Sequence, residues 1–210
     1  MKAINFVLVY FSDTPQSVKL PYLRGLVLAR QEISAWLLKY NLMVPSWNIQ
    51  EAAFAVPGSV YNEKQWMLTQ HLIAKGTVKF DGATAWYLFP STCQMGGTLG
   101  GDVFGQKNGQ EANRVPGVSF FGKIGLRALA YGKEGSWTKN MACGAIAHEL
   151  MHSIGLLPDQ KDSIHASNCV MTSGLYGFPN CVLETNGGIF GGIKGDEIAA
   201  LARYGFVRRC

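Results

Sequence analysis

His148-Glu149-Leu150-Met151-His152-Ser153-Ile154-Gly155 sets two imidazoles four residues apart, with a carboxylate beside the first. An α-helix turns about 100° and rises ~1.5 Å per residue, so His148 and His152 project from one stripe, ~6 Å apart along the axis. Both can reach one ion. The run from Met141 to Leu157 is mostly apolar, which predicts a largely buried helix. Two imidazoles and a carboxylate on such a helix need partners, because burying an unpaired polar group is costly. A metal ion supplies them, and Thr138 is a fair N-cap for the start of the helix.

The spacing H-E-x-x-H is the zinc-protease pattern. Zinc accepts neutral imidazole nitrogen, and a catalytic site combines three protein ligands with a water whose pKa the metal lowers to about 7. Glu149 is then the candidate general base, taking the water's proton and passing it to the leaving amine. Only four histidines occur in the chain, and two of them stand in this motif. His71, in a segment read as an ordinary helix, is set aside as a ligand.

The stretch from His148 to Gly155, followed by Asn168-Cys169-Val170-Met171-Thr172, resembles the metzincin metallopeptidases, whose pattern is H-E-x-x-H-x-x-G-x-x-H with a later Met-turn. The similarity is greatest to the adamalysin-like and snapalysin-like branches. It implies that Met171 is the Met-turn methionine, a hydrophobic floor under the metal and not a ligand. The loop here reads Gly155-Leu156-Leu157-Pro158-Asp159-Gln160-Lys161-Asp162, and the family's third histidine falls on Pro158, whose side chain has no donor atom. His165 is the first candidate for the third ligand, because imidazole suits zinc and it lies six residues before Met171. Asp159 is the alternative, in a Gly-Leu-Pro-Asp-like setting similar to that of the snapalysin-like enzymes. A glutamate ligand from a second helix is disfavoured, since the next one, Glu184, runs into Thr185-Asn186-Gly187-Gly188, a loop composition.

The resemblance implies an α+β fold: a twisted mixed β-sheet with backing helices and an active-site helix, plus a small irregular C-terminal subdomain. Residues 1–210 are expected to form a single catalytic domain, divided into 1–155 and 156–210. The implied activity is zinc-dependent endopeptidase, with Zn2+ as cofactor and a protein or peptide as substrate. The alternatives are a catalytically impaired metzincin-fold binding protein, to which Pro158 points, and an archaemetzincin-like aminopeptidase. The latter branch carries a cysteine-rich zinc finger that this chain lacks.

Composition sets the outer limits. At 210 residues, 48% of them hydrophobic, the chain can bury a sizeable core, and no run approaches the ~18 apolar residues of a membrane helix. The net charge is +5, but the basic residues are dispersed and form no nucleic-acid patch. The five cysteines, Cys93, Cys143, Cys169, Cys181 and Cys210, form no C-x-x-C pair. They favour an oxidising, secreted or extracytoplasmic setting. The family resemblance implies a Cys169–Cys181 bridge and a second between Cys210 and either Cys93 or Cys143.

Along the chain, Met1 to Phe11 reads as a core strand rather than a leader, since no small-residue cleavage site follows. Pro21 is expected to open a helix running to Tyr40, and Trp47 to Val56 to be a strand. Asn62 and Gln65 suggest a capping box for a helix over roughly 63–75, closed by Gly76. Thr84 to Phe89 is β-rich, and Gly96 to Gly101 is placed at the cleft's upper rim as an edge strand. Val118–Phe121 and Leu126–Tyr131 read as a hairpin around Gly122 and Gly125. Asp196 to Gly205 reads as a short helix, similar to the terminal helix of matrix metalloproteinases.

Overall fold

The computed structural model describes residues 2–79, 81–99, 116–154, 169–171, 176–183, 188–190, 193–195, 201–202 and 205–210. The chain opens with an interior strand of the main sheet, β1 (Ala3–Tyr10), nearly all of it buried. Its apolar run is continuous because both sheet faces are covered. Ile4, Phe6, Leu8 and Tyr10 enter one core, while Val7 and Val9 enter the other. On the first side lies α1 (Gln16–Leu38), burying Leu26, Ile33, Trp36 and Leu37. It starts earlier than expected: Pro15 is the N-cap and Pro21 lies inside the helix, still close to the end where backbone donors lack intrahelical partners. A two-residue strand, β2 (Leu42–Met43), follows.

Next come β3 (Trp47–Ala53) and a 3-10 turn at Gly58–Tyr61. Beyond them, α2 (Gln65–Ala74) carries no side-chain cap at its N-terminus. The expected capping box does not form, because both its side chains tie the helix to the far edge of the sheet. Asn62 Oδ1 accepts from the Gln94 amide at 3.1 Å, and Gln65 Nε2 donates to the Gly96 carbonyl at 3.3 Å. Gly76 follows the helix at φ 71, a left-handed position that favours glycine.

The sheet is completed by β4 (Thr84–Pro90), β5 (Gly96–Leu99) and β6 (Val118–Phe121), in the order β3-β1-β4-β6-β5. The first four strands in that order run parallel, and β5 is antiparallel to β6 at the edge. The segment expected at the cleft rim is therefore an edge strand; Gly100 and Gly101 lie outside the described residues.

The expected hairpin is corrected. After β6 the chain enters α3 (Lys123–Tyr131), capped at its C-terminus by Gly132 at φ 86. The glycines read as turn formers serve packing instead. Gly125 lies under the Phe121 ring, where a Cβ would collide with it, and at Gly25 of α1 an added Cβ would stand 3.1 Å from Leu129 Cβ. Leu126 and Leu129 then join the core shared with α1, and Leu126–Ala130 consists of strong helix formers, so the strand reading failed on the ambiguity of a short apolar run. Gly122 backs onto the Met95 backbone, with its missing Cβ 2.7 Å from the Met95 nitrogen. No rotamer change relieves a clash with backbone, so Gly122→Ala is expected to cost about 1–3 kcal/mol. Thermal unfolding should show it as a fall of roughly 2–4 °C per kcal/mol.

A small hairpin, β7 (Lys133–Glu134) and β8 (Trp137–Thr138), leads into α4 (Lys139–Ile154). Beyond it, β9 (Gly188–Phe190) and β10 (Ile193–Gly195) pair with each other, and β11 (Arg208–Arg209) returns to β2. Of the expected terminal helix, Leu201 and Ala202 are helical and Gly205 lies at φ 74; 196–200 and 203–204 lie outside the described residues. Cys169, Val170, Met171, Leu183, Leu201 and Phe206 are buried in the same core as α1 and α4. The mixed α+β character and the backing helices are thus as expected. Among the described residues, no disulfide is present and no helix is long and apolar enough to cross a membrane. Burial pushes the Cys93 and Cys143 thiols up to about 12 and that of Cys181 to about 11.

Candidate metal centre

The candidate centre is built on α4. Its start is fixed by Thr138, whose Oγ1 accepts the Met141 amide at 3.2 Å, as expected of an N-cap. Its last two turns are tied to the sheet by two hydrogen bonds. Ser119 Oγ on β6 donates to the Glu149 carbonyl at 2.7 Å, and the Gly117 amide donates to the Ser153 carbonyl at 2.9 Å. Together they fix the rotation of the helix about its own axis. Ala147, Leu150, Met151 and Ile154 are buried in the core, while Glu149 and His152 are half-buried.

His148 is 7% exposed, and its Nδ1 lies 2.9 Å from the carbonyl oxygen of Val170. A carbonyl can only accept, so Nδ1 carries a proton, and the nitrogen left to act as a ligand is Nε2. Such an orienting partner on the far nitrogen is what metal-ligating histidines have. His152 Nε2 lies 3.2 Å from His148 Nε2, with the rings at 87°. That separation suits an N–H···N hydrogen bond from His152. It also suits an ion held by both rings, because two zinc–nitrogen bonds of ~2.0–2.1 Å at the tetrahedral angle span about 3.3–3.4 Å. These two nitrogens therefore fit two positions of a tetrahedral zinc site.

Met171, 2% exposed, follows the residue whose carbonyl orients His148. The Cys169–Met171 segment and α4, distant in sequence, are thus brought together. Its backbone amide donates to Cys169 Sγ at 3.4 Å. Among the described residues, no group of three His, Cys, Asp or Glu side chains is placed to hold a metal. His165 and Asp159, the candidates for the third ligand, lie outside the described residues, as do Gly155 and Pro158. His71 is engaged elsewhere, its Nδ1 2.8 Å from the Tyr61 hydroxyl on α2's side of the sheet.

Three contributors to the site were not recognised in the sequence. The Val170 carbonyl is a backbone group, invisible to residue type. Ser119 left a signal as the single polar residue in Val118-Ser119-Phe120-Phe121. Tyr87, paired in register with Ser119 across β4 and β6, is wholly buried with no hydrogen-bond partner for its hydroxyl among the described residues. Desolvation first, and then the charge of Glu149, push its ionisation far above the usual tyrosine range, so the phenol stays neutral behind the helix.

Comparison of the sequence with protein-family models gives no match, and comparison with curated proteins gives none either.

Proposed function

We propose that this chain is a zinc-dependent endopeptidase of metzincin type. The observation that carries the reading is the His148–His152 pair, with Nε2 atoms 3.2 Å apart and His148 Nδ1 bonded to the Val170 carbonyl one residue before Met171. His148 and His152 hold the ion, with His165, or alternatively Asp159, as the third ligand. The bound zinc supplies Lewis acidity, polarising the scissile carbonyl and lowering the pKa of water. The Glu149 carboxylate takes a proton from the attacking water as its oxygen bonds to the carbonyl carbon. It then delivers that proton to the amide nitrogen as the C–N bond breaks. Edge strand β5 supports the peptide-substrate part of the reading, because an extended chain can add to a sheet edge through main-chain hydrogen bonds. We place the protein outside the cytoplasm, where Cys169 and Cys181, carried by segments joined at the Cys169–Val182 bridge, would be oxidised.

The test is cleavage of a mixed, internally quenched peptide library by the zinc-loaded protein beside a chelated sample. Cuts within the peptides that chelation abolishes are the expected result. A library left intact by the zinc-loaded protein would favour the binding-protein alternative that Pro158 motivates, and release of terminal residues alone would favour the aminopeptidase.

A further inference from the structure

The carbonyl that orients His148 is itself held from a distant part of the chain. The Val170 amide donates to the Val182 carbonyl at 2.9 Å, and Cys169 forms an isolated parallel bridge with Val182. Both neighbours of Val182 are fastened to the C-terminal end of α1. On one side, Trp36 Nε1 donates to the Cys181 carbonyl at 2.9 Å, and the Tyr40 hydroxyl makes a longer 3.5 Å contact to the same oxygen. On the other, the Leu183 amide donates to the Tyr40 hydroxyl at 3.1 Å. Lys39 Nζ reaches the Pro179 carbonyl at 3.1 Å, and the Trp36 ring packs 5.6 Å from Tyr40 and 6.0 Å from Phe178.

We infer that Trp36 and Tyr40 are positioning residues for His148, fixing the ring's tautomer and orientation through Cys181–Leu183 and the Val170 carbonyl. Trp36 is 1% exposed and joins the core, but packing alone does not account for the arrangement. The two aromatic side chains place a donor and an acceptor on either side of Val182, the residue that carries the Met-turn segment. In this way α1, which offers no ligand, determines which nitrogen of His148 faces the ion. Core packing holds the Cys169–Met171 side chains, whereas the direction of the Val170 carbonyl depends on the backbone hydrogen bond to Val182, and a metal ligand loses affinity when its orienting partner is lost. The zinc part of this inference rests on the proposed function; the orientation part does not.

The test compares wild type with the Trp36→Phe/Tyr40→Phe double variant, which keeps an aromatic ring at each position and removes the polar groups, with some loss of core volume at position 36. Tyr40→Phe alone serves should the double variant fail to fold. Ile33→Val is the control, losing core volume on the same helix without touching the hydrogen bonds. In metal-free wild type, at a pH where the ring is neutral, the nitrogen chemical shifts of His148 should show the Nδ1–H tautomer alone, and the double variant should show a mixture. Zinc affinity, read by competition with a chromogenic chelator, should fall about tenfold in the double variant and stay unchanged in Ile33→Val. A tautomer unmoved by the double variant overturns the inference. So does an equal loss of affinity in Ile33→Val, which would assign the effect to general loosening. If wild type takes up no zinc, the peptidase reading fails, and the tautomer result still decides the positioning role.

Discussion

Glu149→Gln is expected to retain one zinc per chain and to lose roughly 10²- to 10⁴-fold in kcat, the range that general acid–base catalysis contributes. The substitution keeps the shape of the side chain and removes its ability to take a proton. Glu149 lies between the two histidines and is not counted among the ligands, and the hydrogen bond that ties its residue to the sheet runs from Ser119 Oγ to its backbone carbonyl. That bond survives the change. The loss should therefore fall on turnover, with KM and thermal stability little altered. Steady-state kinetics on one peptide cut by the wild type, beside metal analysis of both proteins, checks this. Loss of zinc together with activity would show instead that Glu149 helps to hold the ion.

His148→Ala is expected to behave in the opposite way, losing the metal first and activity as a consequence. Two effects combine at this position. A nitrogen ligand disappears, and the Val170 carbonyl loses the imidazole donor that stands 2.9 Å away in the wild type. The loss of zinc affinity should exceed the roughly 10- to 100-fold that removing an outer partner costs, so that zinc concentrations saturating the wild type leave the variant largely empty. His152→Ala should follow the same pattern. Its ring is half-buried, so its removal should disturb the core less than that of His148. Equilibrium dialysis against zinc measures both variants. Undiminished zinc binding in either would remove the motif helix from the metal site.

What could be read from the sequence was local. The capped helix Lys139–Ile154 follows from the Thr138 cap and an apolar run, and the stripe shared by His148 and His152 follows from helical geometry. β1, β3 and β4 were legible from β-rich runs bounded by turn residues. The misreadings arise where a short apolar run is ambiguous in period or where tertiary contact recruits side chains with a local role open to them. Leu126 to Tyr131 is apolar enough to suggest a strand, yet Gly25 and Gly125 allow α1, α3 and Phe121 to close on one another, and the segment is helical. Asn62 and Gln65 have the spacing of a capping box but are drawn to Gln94 and Gly96. Nothing in sequence spacing reveals that Trp36 meets Cys181 across 145 positions, or that Val170 meets His148 across 22. Those contacts exist only once α1, α3 and α4 are gathered on one face of the sheet.

The most direct measurement is the zinc stoichiometry of the purified wild-type protein, with X-ray absorption at the zinc edge to identify the ligands. One zinc per chain is expected, in a nitrogen- and oxygen-coordinated shell that includes two imidazoles and contains no sulfur. Failure to retain zinc at micromolar concentration, or a shell dominated by cysteine sulfur, would contradict it.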